Sequence, residues 1–326
     1  METEDQSELC FPQLANISCG KPSSGWSEGV FLTVLLYFSC VLTVLLNLLV
    51  ITSISHFRRL HTPTNFLLLS LAVSDLLVGL LVWPGEIYLR KSCWTHGDIP
   101  CSVYNFVSFT VTSTSVGNMV LISADRYVAI CNPLHYNVRV TVRRIQLCVC
   151  LCWFSSLLLS SILIKDDLVH PGMYTSCYGE CVIHIDYTAA VFDLIMTFIL
   201  PLSIIITLYM KVFVVAVSQA RAMRSRVTCG KRRPSFPMRA KKSELKSART
   251  LGVVVLVFLM CFCPYYCVTL AGDSLPSASH VLNLYYMNSC LNPLIYVWLY
   301  PWFRRAVKHI VTLHILQPAS WGNNTL

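Results

Sequence analysis

From Val30 through Val50 the chain carries no charged side chain. A helix of about 20 such residues, rising ~1.5 Å each, matches the roughly 30 Å hydrocarbon core of a bilayer. Lipid offers no water to backbone N–H and C=O groups, so a segment of this kind must satisfy them internally as a helix. The same rule applied along the sequence predicts seven spans, at 30–55, 65–89, 99–130, 144–164, 187–217, 247–271 and 281–300. The expected fold is all-α: a seven-transmembrane helix bundle at 30–300, an outer N-terminal segment at 1–29, and a cytoplasmic amphipathic helix with its tail at 301–326. Only 13% of residues are charged and the mean hydropathy is +0.60, which excludes a disordered chain, a collagen and a small disulfide scaffold.

The net charge of +9 follows from topology. Of the 25 Lys and Arg, only Lys21, Arg90, Lys91 and Lys165 fall on the N-terminal side of the predicted membrane, and eleven lie between Arg221 and Arg249 alone. The positive-inside rule then puts the N-terminus outside and the C-terminus in the cytoplasm. The basic balance therefore gives no reason to expect a nucleic-acid partner. METEDQSELCF has neither a basic nor an apolar signal region, so the first span is expected to act as the insertion signal. The sequon Asn16-Ile17-Ser18 lies on the outer side and is a candidate for glycosylation, whereas Asn323-Asn324-Thr325 lies in the tail. The spans show no internal repeat of the kind that often builds transporters, and no nucleophile–base pair is evident to suggest an enzyme.

Cys10, Cys19, Cys93, Cys101, Cys177 and Cys181 all fall on the oxidising side and are candidates for disulfides. Cys148, Cys150, Cys152, Cys261, Cys263 and Cys267 fall within spans, where a thiol behaves as a small apolar group. A carboxylate at the centre of a membrane helix costs about 2.5–3.5 kcal/mol on insertion scales, so each intramembrane one is a candidate functional residue. Three qualify: Asp75, Glu86 and Asp193.

Asp125-Arg126-Tyr127 ends the third span, and Asn292-Pro293-Leu294-Ile295-Tyr296 ends the seventh. Together with Asp75 in LAVSD, Trp153, Pro201 and Cys261-Phe262-Cys263-Pro264, these residues resemble the landmarks of the rhodopsin-like, class A G-protein-coupled receptors. The stretch from Asn288 to Tyr296, followed by Tyr300, Trp302 and Phe303, is similar to the fingerprint of trace amine-associated receptors. So are Cys10-Phe11-Pro12, Asn16-Ile17-Ser18-Cys19 and Cys177-Tyr178-Gly179-Glu180-Cys181.

The resemblance implies a receptor for a small amine that activates a heterotrimeric G protein of the stimulatory or olfactory type, raising cyclic AMP at the plasma membrane of olfactory neurons. Aminergic relatives place an Asp seven residues inward of the third-span Cys; here that position is Ser108, a hydroxyl that cannot balance a buried cation. Asp193, eight residues before Pro201 and thus about 12 Å toward the outside, resembles the span 5 carboxylate of teleost olfactory members and is the expected ammonium acceptor. Phe109, Thr112, Phe262, Tyr265, Tyr266 and Tyr286 are expected to wall the site. Glu86 would serve as a second acceptor for a diamine, but its i+4 spacing from Arg90 favours an ion pair instead. The alternative is a receptor of the same fold for a non-amine ligand, with Asp193 purely structural.

By the same resemblance, Asp75, Ser115, Asn288 and Asn292 would enclose an allosteric sodium ion, or else a water-filled polar network. Arg126 would pair with Glu244 across the cytoplasmic end, and Cys101 with Cys181. Cys177 would then join Cys19 or Cys10, and the sequence leaves that choice open. After the last span, Phe303, Val307, Ile310 and Val311 share one helix face and Arg304, Arg305 and Lys308 the other, predicting a short helix on the inner leaflet.

Overall fold

The computed structural model describes residues 9–14, 16–21, 26–173, 175–183, 185–228, 236–270, 275–299 and 301–312. Seven long helices form the bundle: α1 Trp26–His56, α2 Pro63–Lys91, α3 Asp98–Cys131, α4 Val142–Leu163, α5 from Tyr187–Asp193 through Leu194–Ile199 into Leu200–Thr228, α6 Phe236–Leu270 and α7 Leu275–Leu299. A further helix, α8, spans Pro301–Val311. Among the described residues, five of the seven bundle helices are long and apolar enough to cross a membrane, and Gly252–Val268 of α6 is a shorter apolar stretch. The only extended pairings among the described residues are isolated bridges, Leu9 with Gly20 and Ser18 with Tyr178.

Several helix starts are written locally. Thr62 accepts from the Asn65 N–H (3.3 Å) with Pro63 opening α2, Thr141 accepts from the Arg144 N–H (3.4 Å), and Asp186 accepts from the Thr188 N–H (3.2 Å). Within the spans, hydroxyls turn back on their own helix. Thr43, Ser53, Thr114, Ser123, Thr197 and Ser203 each donate to the carbonyl four residues earlier, at 2.6–2.7 Å. That is the nearest acceptor for a hydroxyl in a place without water.

Burial ranks the helices. In the most apolar window of each, 61% of α2 and 50% of α3 is buried inside the protein, against 22% of α1 and α4 and 11% of α5. The two inner helices also carry the polar cross-links. Ser70 of α2 donates to Asn118 of α3 (2.9 Å) and accepts from the Trp153 indole of α4 (3.1 Å), while Ser115 of α3 donates to Ser74 of α2 (3.0 Å). Asn47 of α1 donates to the Ser289 carbonyl of α7 (3.0 Å). Two π turns, Val78–Val82 in α2 and Leu194–Ile199 in α5, interrupt the regular winding on either side of the bundle.

Three disulfides close one end of the bundle: Cys10–Cys93, Cys19–Cys177 and Cys101–Cys181. Cys177 therefore joins Cys19, and Cys10 joins Cys93 at the end of α2, a partner that the sequence left unassigned. The N-terminal segment is knitted to the loop before α5 by Tyr178 N–H to Ile17 O (2.6 Å) and Cys19 N–H to Tyr178 O (3.0 Å), with Phe11 edge-on to Tyr178 at 4.9 Å. Gly179 makes this possible: its φ is +114°, and a Cβ there would lie 3.0 Å from the Cys10 Cβ.

At the other end, Phe303 and Ala306 of α8 are fully buried, Ala306 against Phe57 and Leu60, while Arg304, Arg305 and Lys308 are exposed. Val311, expected on the apolar face, is 67% exposed. Three helices overrun the predicted spans: α5 continues to Thr228, α6 begins at Phe236 rather than 247, and α7 at Leu275 rather than 281. Hydropathy marks only the hydrocarbon-matched part, whereas helical hydrogen bonding continues past it. Peptide mapping without reduction is expected to recover the three cross-linked pairs named above; a Cys10–Cys177 peptide would contradict this closure.

Candidate functional site

Between α2, α3, α5, α6 and α7 lies a cavity of about 590 Å³, within the range of small-molecule sites. Glu86, Ser108, Phe109, Thr112, Asp193, Tyr265, Tyr266 and Tyr286 all line it. Phe262 does not: it is 4% exposed and packed between Phe258 and Tyr285, with ring centroids 4.1 Å from each. The expectation for Phe262 is thus corrected, because its turn of α6 faces the aromatic packing and not the open space.

Asp193 is the outstanding group on this wall. Its Oδ1 is shut off from solvent and accepts no hydrogen bond among the described residues. The adjacent Thr197 hydroxyl donates to the Asp193 backbone carbonyl (2.7 Å) and lies 3.2 Å from the Tyr266 hydroxyl. Phe198, next along α5, stacks on Tyr266 at 4.2 Å and 15°. Ser108 Oγ, on α3, is likewise buried without a partner among the described residues. Glu86 is differently placed: one oxygen receives Nε and Nη2 of Arg90 (3.3 and 3.4 Å), and the other lies 3.5 Å from the Tyr104 hydroxyl.

Deeper in the protein, Asp75 is fully buried with both oxygens answered, one by Ser289 (2.8 Å) and one by Asn292 (2.9 Å). Two of the expected quartet, Ser115 and Asn288, do not bond Asp75 directly among the described contacts. Ser115 spends its proton on Ser74, and it is Ser289, not Asn288, that bonds Asp75. Oδ1 of Asn47, Asn288 and Asn292 are nevertheless buried without partners among the described residues, a set of neutral oxygens suited to a cation or water. At the far end of α3, Asp125 and Arg126 bond each other, and Asp125 also accepts from Thr64 (2.9 Å) and Tyr136 (2.9 Å). Burial, then the Asp125 charge, push the Tyr136 phenol above its ordinary pKa, which keeps it a donor. Tyr127 lies under Lys211, 5.8 Å from the ring centroid, and Tyr296 is 1% exposed. The side chain of Glu244 falls outside the described ones, and Pro293 sits inside α7.

Residues 46–296 match the 7 transmembrane receptor (rhodopsin family). The chain is 36% identical to rat trace amine-associated receptor 7e, with 98% of this chain and 92% of the relative aligned. It is 34% identical to zebrafish trace amine-associated receptor 13c (97% and 95%) and 34% identical to mouse trace amine-associated receptor 1 (91% and 94%). The chain belongs to the trace amine-associated receptors of the rhodopsin family. It is accordingly a multi-pass membrane receptor with a small-molecule ligand and a G-protein partner, and not an enzyme.

In this receptor the cavity has walls that the sequence reading passed over, notably Tyr104, Thr197 and Tyr285. Helical spacing carried a signal for two of them. Tyr104 is four residues before Ser108, and Thr197 four after Asp193, so each shares a face with a residue already singled out. Ile185 and Tyr187 come from the segment entering α5, where nothing in the sequence marks them.

The Asp125–Arg126 cluster holds the receptor's third helix to α2 and to the short loop helix Pro133–Arg139. Hydrogen bonds to charged groups contribute about 1.5–3 kcal/mol each. Thr64→Val, which keeps the shape and removes the hydroxyl, is expected to raise ligand-independent nucleotide exchange on the G protein several-fold. Unchanged basal exchange at equal surface expression would show that Thr64 does not restrain Arg126.

Proposed function

We propose that the receptor senses a small amine whose ammonium binds Asp193 on α5. The observation that carries this reading is the buried, unpartnered Asp193 Oδ1 on the wall of a 590 Å³ cavity. An ionised carboxylate away from water needs a counter-charge, and a ligand ammonium supplies one with hydrogen bonds included. Tyr265 and Tyr266 line the same space, and aromatic walls suit a cation. With Ser108 standing where aminergic relatives carry an Asp, the ammonium lies against α5 and the ligand's remainder extends toward α3, α6 and α7. The relatives' names, trace amine-associated receptors, agree with this ligand class.

The N-terminus lies outside and α8 in the cytoplasm, on the strength of the Lys and Arg distribution and of the disulfides gathered at one end. Binding opens α6 toward a stimulatory G protein and raises cyclic AMP, by the family resemblance. The oxygens around Asp75 hold a sodium ion in the resting receptor. Asn16, exposed in a turn of the N-terminal segment, carries a glycan. Removal of that glycan by an amidase is expected to shift the receptor's electrophoretic mobility, and Asn16→Gln to abolish the shift; a mobility unaffected by either treatment would refute the glycan.

Cells expressing the receptor are expected to raise cyclic AMP in response to a panel of alkyl and aryl amines and to ignore their neutral isosteres. Asp193→Asn should cost at least a hundredfold in potency at unchanged surface expression. Retained amine potency in Asp193→Asn would leave Asp193 a structural residue and the ligand of another class.

A further inference from the structure

The cavity holds two carboxylates, and the structure treats them differently. Asp193 Oδ1 has no hydrogen-bond partner among the described residues, whereas Glu86 is engaged on Oε1, where Arg90 donates Nε and Nη2 at 3.3 and 3.4 Å. The pair is held from outside as well. Arg90 Nη1 donates to Asn283 of α7 (3.3 Å), and the Tyr104 hydroxyl donates to the Val82 carbonyl (2.9 Å). The i,i+4 spacing on α2 places both side chains on one face, within reach of each other.

We infer that Arg90 makes the receptor selective for ligands with one positive charge: it neutralises Glu86 and so denies a second ammonium the counter-charge at the other carboxylate of the cavity. The inference rests on the proposed ammonium site at Asp193. A diamine anchored there would bring its second ammonium to a pair whose net charge is zero and whose cation is already in place. It must displace Arg90 from Glu86 or leave its second charge unanswered, and both choices weaken binding. A monoamine brings only an apolar or neutral polar tail, which the aromatic wall accepts without disturbing the pair. Arg90 is thus a specificity residue that acts through Glu86, with no contact to the ammonium required.

The test compares 1-aminohexane, 1,6-diaminohexane and 1-hexanol on purified full-length receptor, with affinity read from ligand-induced thermal stabilisation. Wild type is expected to bind 1-aminohexane at least tenfold more tightly than 1,6-diaminohexane and to ignore 1-hexanol. Arg90→Gln should erase or reverse that ratio by strengthening the diamine, and Arg90→Lys should keep it. Glu86→Gln combined with Arg90→Gln should restore the monoamine preference, since no free carboxylate then remains at position 86. A wild-type preference for the diamine, or an Arg90→Gln ratio within twofold of wild type, overturns the inference while leaving the amine site standing. Undiminished 1-aminohexane binding by Asp193→Asn, or no binding of either amine by wild type, overturns the ammonium site and the inference with it.

Discussion

A bilayer offers no hydrogen bonds, and this one fact organises the molecule. Every polar group carried into the hydrocarbon must find its partner within the protein. The backbone does so by being helical. The hydroxyls of Thr43, Ser53, Thr114 and Ser203 do so on their own helices, and those of Ser70, Ser74 and Ser115 take part in bonds between helices. Asp75, the most costly group to bury, is answered on both oxygens by α7. Asp193 differs from Asp75 in this respect: its Oδ1 is unanswered among the described residues, and a carboxylate oxygen in that state on a cavity wall calls for a ligand.

Asp193 owes its position to α5, the least buried of the five helices long and apolar enough to cross a membrane among the described residues. A peripheral helix would be expected to face lipid with most of its residues, and α5 does, exposing Phe192, Ile195, Met196 and Ile199. Its inward face at this depth is narrow, and the π turn at Leu194–Ile199 begins directly after Asp193. The few residues on that face are shared with α6: Thr197 lies within hydrogen-bonding distance of Tyr266, and Phe198 stacks on the same ring. Asp193 and the Pro264-bearing helix are therefore linked through Thr197. The aromatic packing continues from Tyr265 to Tyr285 (5.3 Å) and from Tyr285 to Phe262 (4.1 Å), so Phe262 packs behind the cavity wall without facing it.

Much of this was legible in the sequence because membranes impose one-dimensional rules. Span length and the asymmetry of Lys and Arg act along the chain, so the seven helices and their order could be read from it. Intramembrane carboxylates are rare enough to single out Asp75, Glu86 and Asp193, and the i+4 spacing of Glu86 and Arg90 foretold their pairing. What failed to show was rotation and distant approach. Ser289 and Asn288 are neighbours on α7, and only the helix's azimuth decides which hydroxyl or amide meets Asp75. The Cys10–Cys93 bridge joins residues 83 apart through a path set by the N-terminal segment's pairing with Tyr178, for which no local pattern exists.

The same distinction bears on Arg126. A partner on α6, Glu244, was expected from the family resemblance. The described side chains show how much holds the arginine without it: Asp125 beside it, and Thr64 and Tyr136 fixing that carboxylate from two other elements. Arg126 is buried to within 8% of full enclosure, so its charge lies where bonds of this kind are strong and the loss of one is costly. A G protein that draws the arginine out must therefore offer acceptors that replace Asp125.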